Sequence, residues 1–166
     1  MANAVMNALD ALQGSMAECF LTTEDGRRYN FMQIYKMEVK MDITSKELPI
    51  LGKTGKGNRS TGWKGTFSGT AHYNQSVLRQ MMLQYKNTGK LPAFDMQIAN
   101  DDPASAAGRQ TAIFYQCLIK GGILAKFDAS EDTLEEDIEG TFEDFDLPEV
   151  FALLPLSLIH ISEPTR

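Results

Sequence analysis

Two cysteines, two histidines, a glycine–lysine motif and an acidic run are the parts of this 166-residue chain whose types could support chemistry. Cys19 and Cys117 could act as nucleophiles or pair as a disulfide. Each sits in apolar sequence (AECFL and YQCLI), however, and they lie far apart, which reads as two buried, reduced thiols and a reducing folding compartment. His72 follows Thr70 on the polar side of an alternating run. No Ser, Cys and carboxylate set is placed beside it by sequence, so it reads as a surface imidazole and not as a general base. The fragment GKTGKG (52–57) would cradle phosphate only with a glycine five residues ahead of a Gly-Lys pair and a helix behind it. Glu47 and Ile50 occupy the glycine positions and a strand follows, so nucleotide binding is set aside. Asp128, Glu131 and Asp132 lack the spacing and turn glycine of a calcium loop. Paired carboxylates for glycoside hydrolysis occur by chance in any acidic chain. The sequence therefore offers no catalytic set, cofactor site or metal site, and a structural or binding protein is expected.

Composition narrows the class. With 43% hydrophobic and 23% charged residues the chain is globular, and at this length one domain buries roughly 70% of its unfolded surface without disulfide or metal. The net charge of −6 and pI near 4.9 disfavour a protein that grips nucleic acid over a broad face. The N-terminal MANAVMNALDAL lacks a basic region and a continuous apolar run, and no window approaches the roughly 18 apolar residues of a membrane span, so neither a signal peptide nor an anchor is expected. Residues 156–166 (LSLIHISEPTR) resemble a translated sequencing adapter. His160 is accordingly not read as a ligand, and the native C-terminus is expected to be missing.

The elements that must position any functional surface are mainly strands. Residues 1–16 form an arm or short helix, with Val5, Met6, Leu9 and Leu12 on one side and Gly14 ending it. Ala17 to Thr23 has strand character, and Asp25-Gly26 is a hairpin signal before a strand from Tyr29. From Tyr35 to Ile43 alternation is strict: Tyr35, Met37, Val39, Met41 and Ile43 share one face, and Lys36, Glu38, Lys40 and Asp42 the other. A second long run puts Trp63, Gly65, Phe67, Gly69, Ala71 and Tyr73 together, opposite Lys64, Thr66, Ser68, Thr70 and His72. Between them Thr44 to Thr61 reads as a long glycine-rich loop bearing Lys46, Lys53, Lys56 and Arg59 against Glu47; loops of that length are functional or disordered. One helix follows, capped by Asn74 or Ser76, striped with Val77, Leu78, Met81, Met82 and Tyr85, and stopped by Gly89 and Pro92. Residues 92–99, 109–119 and 121–129 read as further strands, giving a mostly β (α+β) barrel or sandwich with one internal helix.

Thr133 to Glu149 (TLEEDIEGTFEDFDLPE) is dense in carboxylates without a Lys or Arg, yet its apolar residues exclude a solvated tail. Ile138 and Phe142 share one parity and Phe145 breaks it, which predicts a strand with an acidic face and a bend near its end. TFEDFDLPE, the TGWKGTFSGTAHY strand running straight into the helix, and the KNTGKLPAFDMQ turn after it occur in an order that resembles the tail tube proteins of contractile phage tails and phage-like bacteriocin particles, of the Gram-positive prophage type. The resemblance covers roughly residues 14–149.

The resemblance implies a hexameric ring whose sheets join into a continuous inner β-barrel, with rings stacked into a tube that conducts DNA. Implied partners are further copies of the chain, a tail sheath protein, and baseplate and tape-measure proteins, with DNA passing without specific binding. The implied location is the virion tail, assembled in the host bacterial cytoplasm. Lys36, Glu38, Lys40, Asp42, Thr66, Ser68 and Thr70 become candidates for the lumen, and Lys46, Lys53, Lys56 and Arg59 for a contact with a neighbouring subunit or ring. Glu135, Asp137, Glu139 and Glu143 are candidates for an acidic interface or the lumen. Expected organisation is an arm over 1–16, a tube domain over 17–150 and a tail over 151–166. The alternatives are a tube from a bacteriocin or a contractile injection or secretion system, and a monomeric ligand-binding β-barrel, which would need an apolar pocket.

Overall fold

The computed structural model describes residues 5–154 of the chain; the adapter-like stretch with His160 lies outside them. Eight strands and one α-helix follow the order β1 (Ala17–Thr23), β2 (Arg28–Asn30), β3 (Ile34–Pro49), β4 (Lys56–His72), α1 (Val77–Thr88), β5 (Phe94–Asp101), β6 (Arg109–Gly121), β7 (Glu135–Phe142) and β8 (Asp144–Glu149). All pairings are antiparallel, in the order β2-β1-β5-β6-β7-β4-β3, with β8 also on β6. β6 is the hinge of two sheets. Its first part runs between β5 and β8 and its last residues pair with β7.

The fold turns the corner where three irregularities meet. Gln116 adopts a left-handed φ of 54°, the register with β5 slips between Phe94 and Met96, and the Asp95 carboxylate accepts the Gln116 N–H at 3.3 Å. On the other side Glu143 separates β7 from β8 and donates its N–H to the Tyr115 carbonyl at 3.1 Å. A bulge bends a strand and increases its twist, so the break of parity at Phe145 is the sequence trace of this corner.

The core lies between the two sheets and α1, and pairs large with small residues across strands. Phe67 faces Gly140, Phe142 faces Gly65, and Ile138 faces Gly69. A Cβ on Gly65 would stand 2.5 Å from the Phe142 ring, and one on Gly140 would overlap Phe67 and the Leu118 carbonyl. Phe142 also meets Phe114 edge-on at 5.0 Å between centroids. Each buried Phe contributes roughly 1.5–3 kcal/mol of transfer free energy. The void bounded by Leu21, Phe31, Phe67, Phe94, Met96 and Ile138 measures about 10 Å³, which leaves no room there for a ligand.

Four expectations need correcting. Thr44 to Thr61 is not a loop: β3 and β4 stay paired from Ile34↔Ala71 to Pro49↔Lys56, with a register slip between Thr44 and Ser45. The ladder satisfies the backbone although the side chains lack alternation. The run 121–129 is not a strand of its own: Gly121 ends β6, and the rest belongs to the connection from β6 to β7. A bulge between Ile34 and Lys36 removes Tyr35 from the face of Met37 and sets it against His72, with 5.0 Å between ring centroids. Among the described residues of the arm, Ala8–Asp10 forms a helical turn, a 3₁₀ one, and Val5, Met6 and Leu9 are exposed. The α1 stripe buries Met81 and half-buries Val77, Leu78 and Met82, while Tyr85 is exposed. Ser76 occupies the N-cap position without a side-chain hydrogen bond, and Gly89 closes the helix at φ 75°.

Candidate functional site

The face of β3, β4 and β7 turned away from the core is a continuous polar surface. The registers form rows across the three strands: Lys36, Thr70 and Asp137; Glu38, Ser68 and Glu139; Lys40, Thr66 and Thr141; and beyond β7, Asp42 beside Lys64. Directly opposed residues project to the same side of a sheet. The seven candidate lumen residues thus share one surface with Glu135, Asp137 and Glu139. Glu143, at the β7–β8 break, stands apart.

This face is net acidic, with Glu38, Asp42, Glu135, Asp137 and Glu139 against Lys36, Lys40 and Lys64. The ion pairs found among the described residues all lie elsewhere, so these charges are compensated only by solvent and by each other. Thr70 Oγ1 donates to Asp137 Oδ1 at 3.4 Å. At one end the Glu135 carboxylate, which accepts a hydrogen bond from Tyr35, raises that phenol above its ordinary range, and partial desolvation acts in the same direction. Charges and hydroxyls on an open sheet suit contact with water. They do not form the concave, apolar enclosure that holds a small ligand.

The second surface is the outer half of the β3–β4 hairpin. β7 reaches along β4 only as far as Gly65, so residues 42–64 project as a two-stranded ribbon beyond the three-stranded part. Lys46 faces Arg59, and Lys53 and Lys56 flank the turn at Gly52, whose φ of 83° requires a residue without Cβ strain. Leu51 at the turn is fully exposed. The four candidate bases therefore share one arm, separated from the acidic strand β7 by the length of the ribbon.

A third group, absent from the sequence-based candidates, fixes α1 to the sheet. Arg79 Nη1 meets Glu136 Oε2 at 2.5 Å, with side-chain exposures of 16% and 8%. The same guanidinium donates to the carbonyls of Gln75 and Ile123 and lies over the Tyr73 ring, 4.3 Å from its centroid. The signal was available: Glu136 has the parity of Ile138 and Phe142, and a carboxylate at a core position requires a cationic partner. Cys19 and Cys117 are both free, and burial pushes each thiol up to about 12, which leaves them unreactive near neutral pH.

An open polar sheet and a projecting ribbon describe a part of an assembly. The family model described as phage tail tube protein matches residues 4–149. The chain belongs to this family. As a tail tube protein it is a structural component and not an enzyme. It is 28% identical over 144 residues to the phage-like element PBSX protein XkdM of Bacillus subtilis (strain 168), covering 87% of this chain and 95% of that one. The B. subtilis protein YqbM matches to the same extent. Among solved structures, the SPP1 tail tube protein superposes with a TM-score of 0.58 at 13% identity, covering 92% of this chain and 87% of that chain. A chain of the 6-fold symmetrised anti-feeding prophage baseplate gives a TM-score of 0.58 at 10% identity, covering 95% and 100%. A chain of an extracellular contractile injection system, in its sheath–tube complex, gives 0.51 at 12%, covering 80% and 88%. These likenesses establish the tail tube fold. Among the described residues no helix is long and apolar enough to cross a membrane.

Proposed function

We propose that this tail tube protein forms hexameric rings in which the β3-β4-β7 sheets of neighbouring copies join edge to edge into one inner barrel, and that stacked rings make the inner tube of a contractile tail. The observation that carries the reading is the polar face backed by a closed core and flanked by the outer edge of the 16-residue strand β3, which is unpaired among the described residues. A long bare edge favours further strand pairing, and closure into a ring removes it. The polar face then lines a water-filled bore. DNA leaving through it meets carboxylates that repel phosphate, which keeps the passage free of adhesive contacts.

The hairpin bases Lys46, Lys53, Lys56 and Arg59 serve a contact with another copy, in the ring or in the next ring. A tail sheath protein surrounds the tube, baseplate proteins receive one end, and a tape-measure protein occupies the lumen during assembly. Assembly takes place in the host bacterial cytoplasm and the product resides in the virion tail. The similarity to an injection-system tube chain favours a second reading, a phage-derived bacteriocin or injection tube built in the same way.

Negative-stain electron microscopy of the purified, concentrated chain tests the assembly. Rings or hollow tubes are expected. A protein that stays monomeric through changes of salt and concentration overturns it.

A further inference from the structure

The hairpin tip and the β6–β7 connection lie at opposite ends of the molecule. β4 runs between them: its first residue, Lys56, pairs with Pro49 beside the tip, and its last, His72, pairs with Glu135, where the connection enters β7. Seventeen residues of strand separate the two ends, on the order of 50 Å at the usual rise per residue. The connection is held in place by the chain itself. Tyr73 N–H donates to the Leu134 carbonyl at 3.0 Å, Arg79 donates to the Ile123 carbonyl at 3.4 Å, and Lys126 Nζ reaches the Glu135 carbonyl at 3.1 Å.

Each end presents apolar side chains to solvent in a charged setting, and the charges are opposite. At the tip Leu51 and Ile50 stand among Lys46, Lys53, Lys56 and Arg59, with relative exposures of 103% and 45% for the two apolar residues. On the connection Phe127 and Leu124, exposed by 93% and 70%, stand near Asp128, Glu131 and Asp132, with Lys126 already engaged by Glu131. Ser130 donates its N–H and Oγ–H to Asp128 at 2.9 and 2.6 Å, and these bonds hold that carboxyl below its usual range. No ion pair among the described residues uses the four hairpin bases.

We infer that the hairpin tip of one copy docks on the β6–β7 connection of a second copy, Leu51 and Ile50 meeting Phe127 and Leu124 while Lys53 and Lys56 meet Glu131 and Asp132. This deepens the tube reading and rests on it, because it names the acceptor that the basic hairpin finds in the adjoining ring. Two different surfaces at opposite ends make a head-to-tail contact, which propagates without limit and does not close on a pair. Apolar burial supplies affinity and the opposite charges set orientation and partner.

Charge exchange and cross-linking in the full chain test it together. Lys53→Glu with Lys56→Glu, and separately Glu131→Lys with Asp132→Lys, should each raise the concentration needed for tube formation by about tenfold or more. The fourfold variant, carrying both exchanges, should restore tubes. Leu51→Cys with Phe127→Cys, oxidised after assembly, should give a ladder of covalent multimers that the unaltered chain, with Cys117 buried and Cys19 half-buried, does not give. Tubes that form without a ladder, or a fourfold variant no better than its parents, refute the docking while leaving the tube intact. Absence of tubes from the unaltered chain removes both readings.

Discussion

The two halves of the β3–β4 hairpin teach how one pair of strands serves two purposes. Near the body, β4 is covered by β7, its inner residues Phe67 and Ala71 are buried, and each glycine faces a bulky partner. Past Trp63, which still packs on Phe142 and Phe145, the same ladder continues with no other described strand beside it and with nearly all its side chains exposed. The inner half belongs to the folded subunit. The outer half contributes little to its stability and is available to another copy.

That contrast can be broken most strongly at Phe142, which packs on Trp63, Phe114 and Phe145. Phe142→Ala should cost about 4 kcal/mol in urea unfolding of the unassembled subunit. Glu136→Ala, which strands the Arg79 guanidinium between helix and sheet, should cost about 3 kcal/mol. Gly140→Ala forces a methyl against Phe67 and a backbone carbonyl and should cost about 2 kcal/mol. Alkaline pH should give a graded loss that grows as the pH rises. The thiols of Cys19 and Cys117 lie near 12 in the fold against an ordinary 9.0, so above pH 9 the unfolded chain releases protons that the folded chain retains. Subunit stability is therefore undiminished by this effect below pH 9 and falls as pH rises toward 12, which unfolding midpoints across that range will read. At the other extreme Lys53→Glu with Lys56→Glu should leave subunit stability within about 0.5 kcal/mol while reducing tube formation. A large loss of stability from that pair would end the distinction between the two halves.

The faces of β3, β4 and β7 were legible because residues at a period of two sort cleanly where one side is buried. The outer hairpin was not, because neither side is buried there and glycines and polar residues carry no alternation; backbone pairing alone holds it. Tyr35 was assigned to the wrong side because a bulge adds a residue without leaving a mark in composition. The run from Gly121 to Ala129 has strand-like residues, but the chain uses them to cross from β6 to β7 and anchors them through Arg79 and Lys126. The Arg79–Glu136 pair joins positions 57 apart in sequence, and only Glu136, a carboxylate with core parity, hinted at it.

The unbroken course of β4 has a mechanical consequence. A pull on the hairpin tip enters the body along two backbones at once, β3 and β4, which the turn joins. The ladder between these two strands is not sheared, because the turn loads both alike; the ladder from β4 to β7, lying along the direction of the pull, takes the load. Bonds loaded in that way must slide together, whereas bonds at the end of a peeled hairpin fail one at a time. The strand ends at His72, and the N–H of the next residue, Tyr73, is tied to the Leu134 carbonyl, so tension arriving at the tip of a subunit is carried through to the β6–β7 connection at its other end.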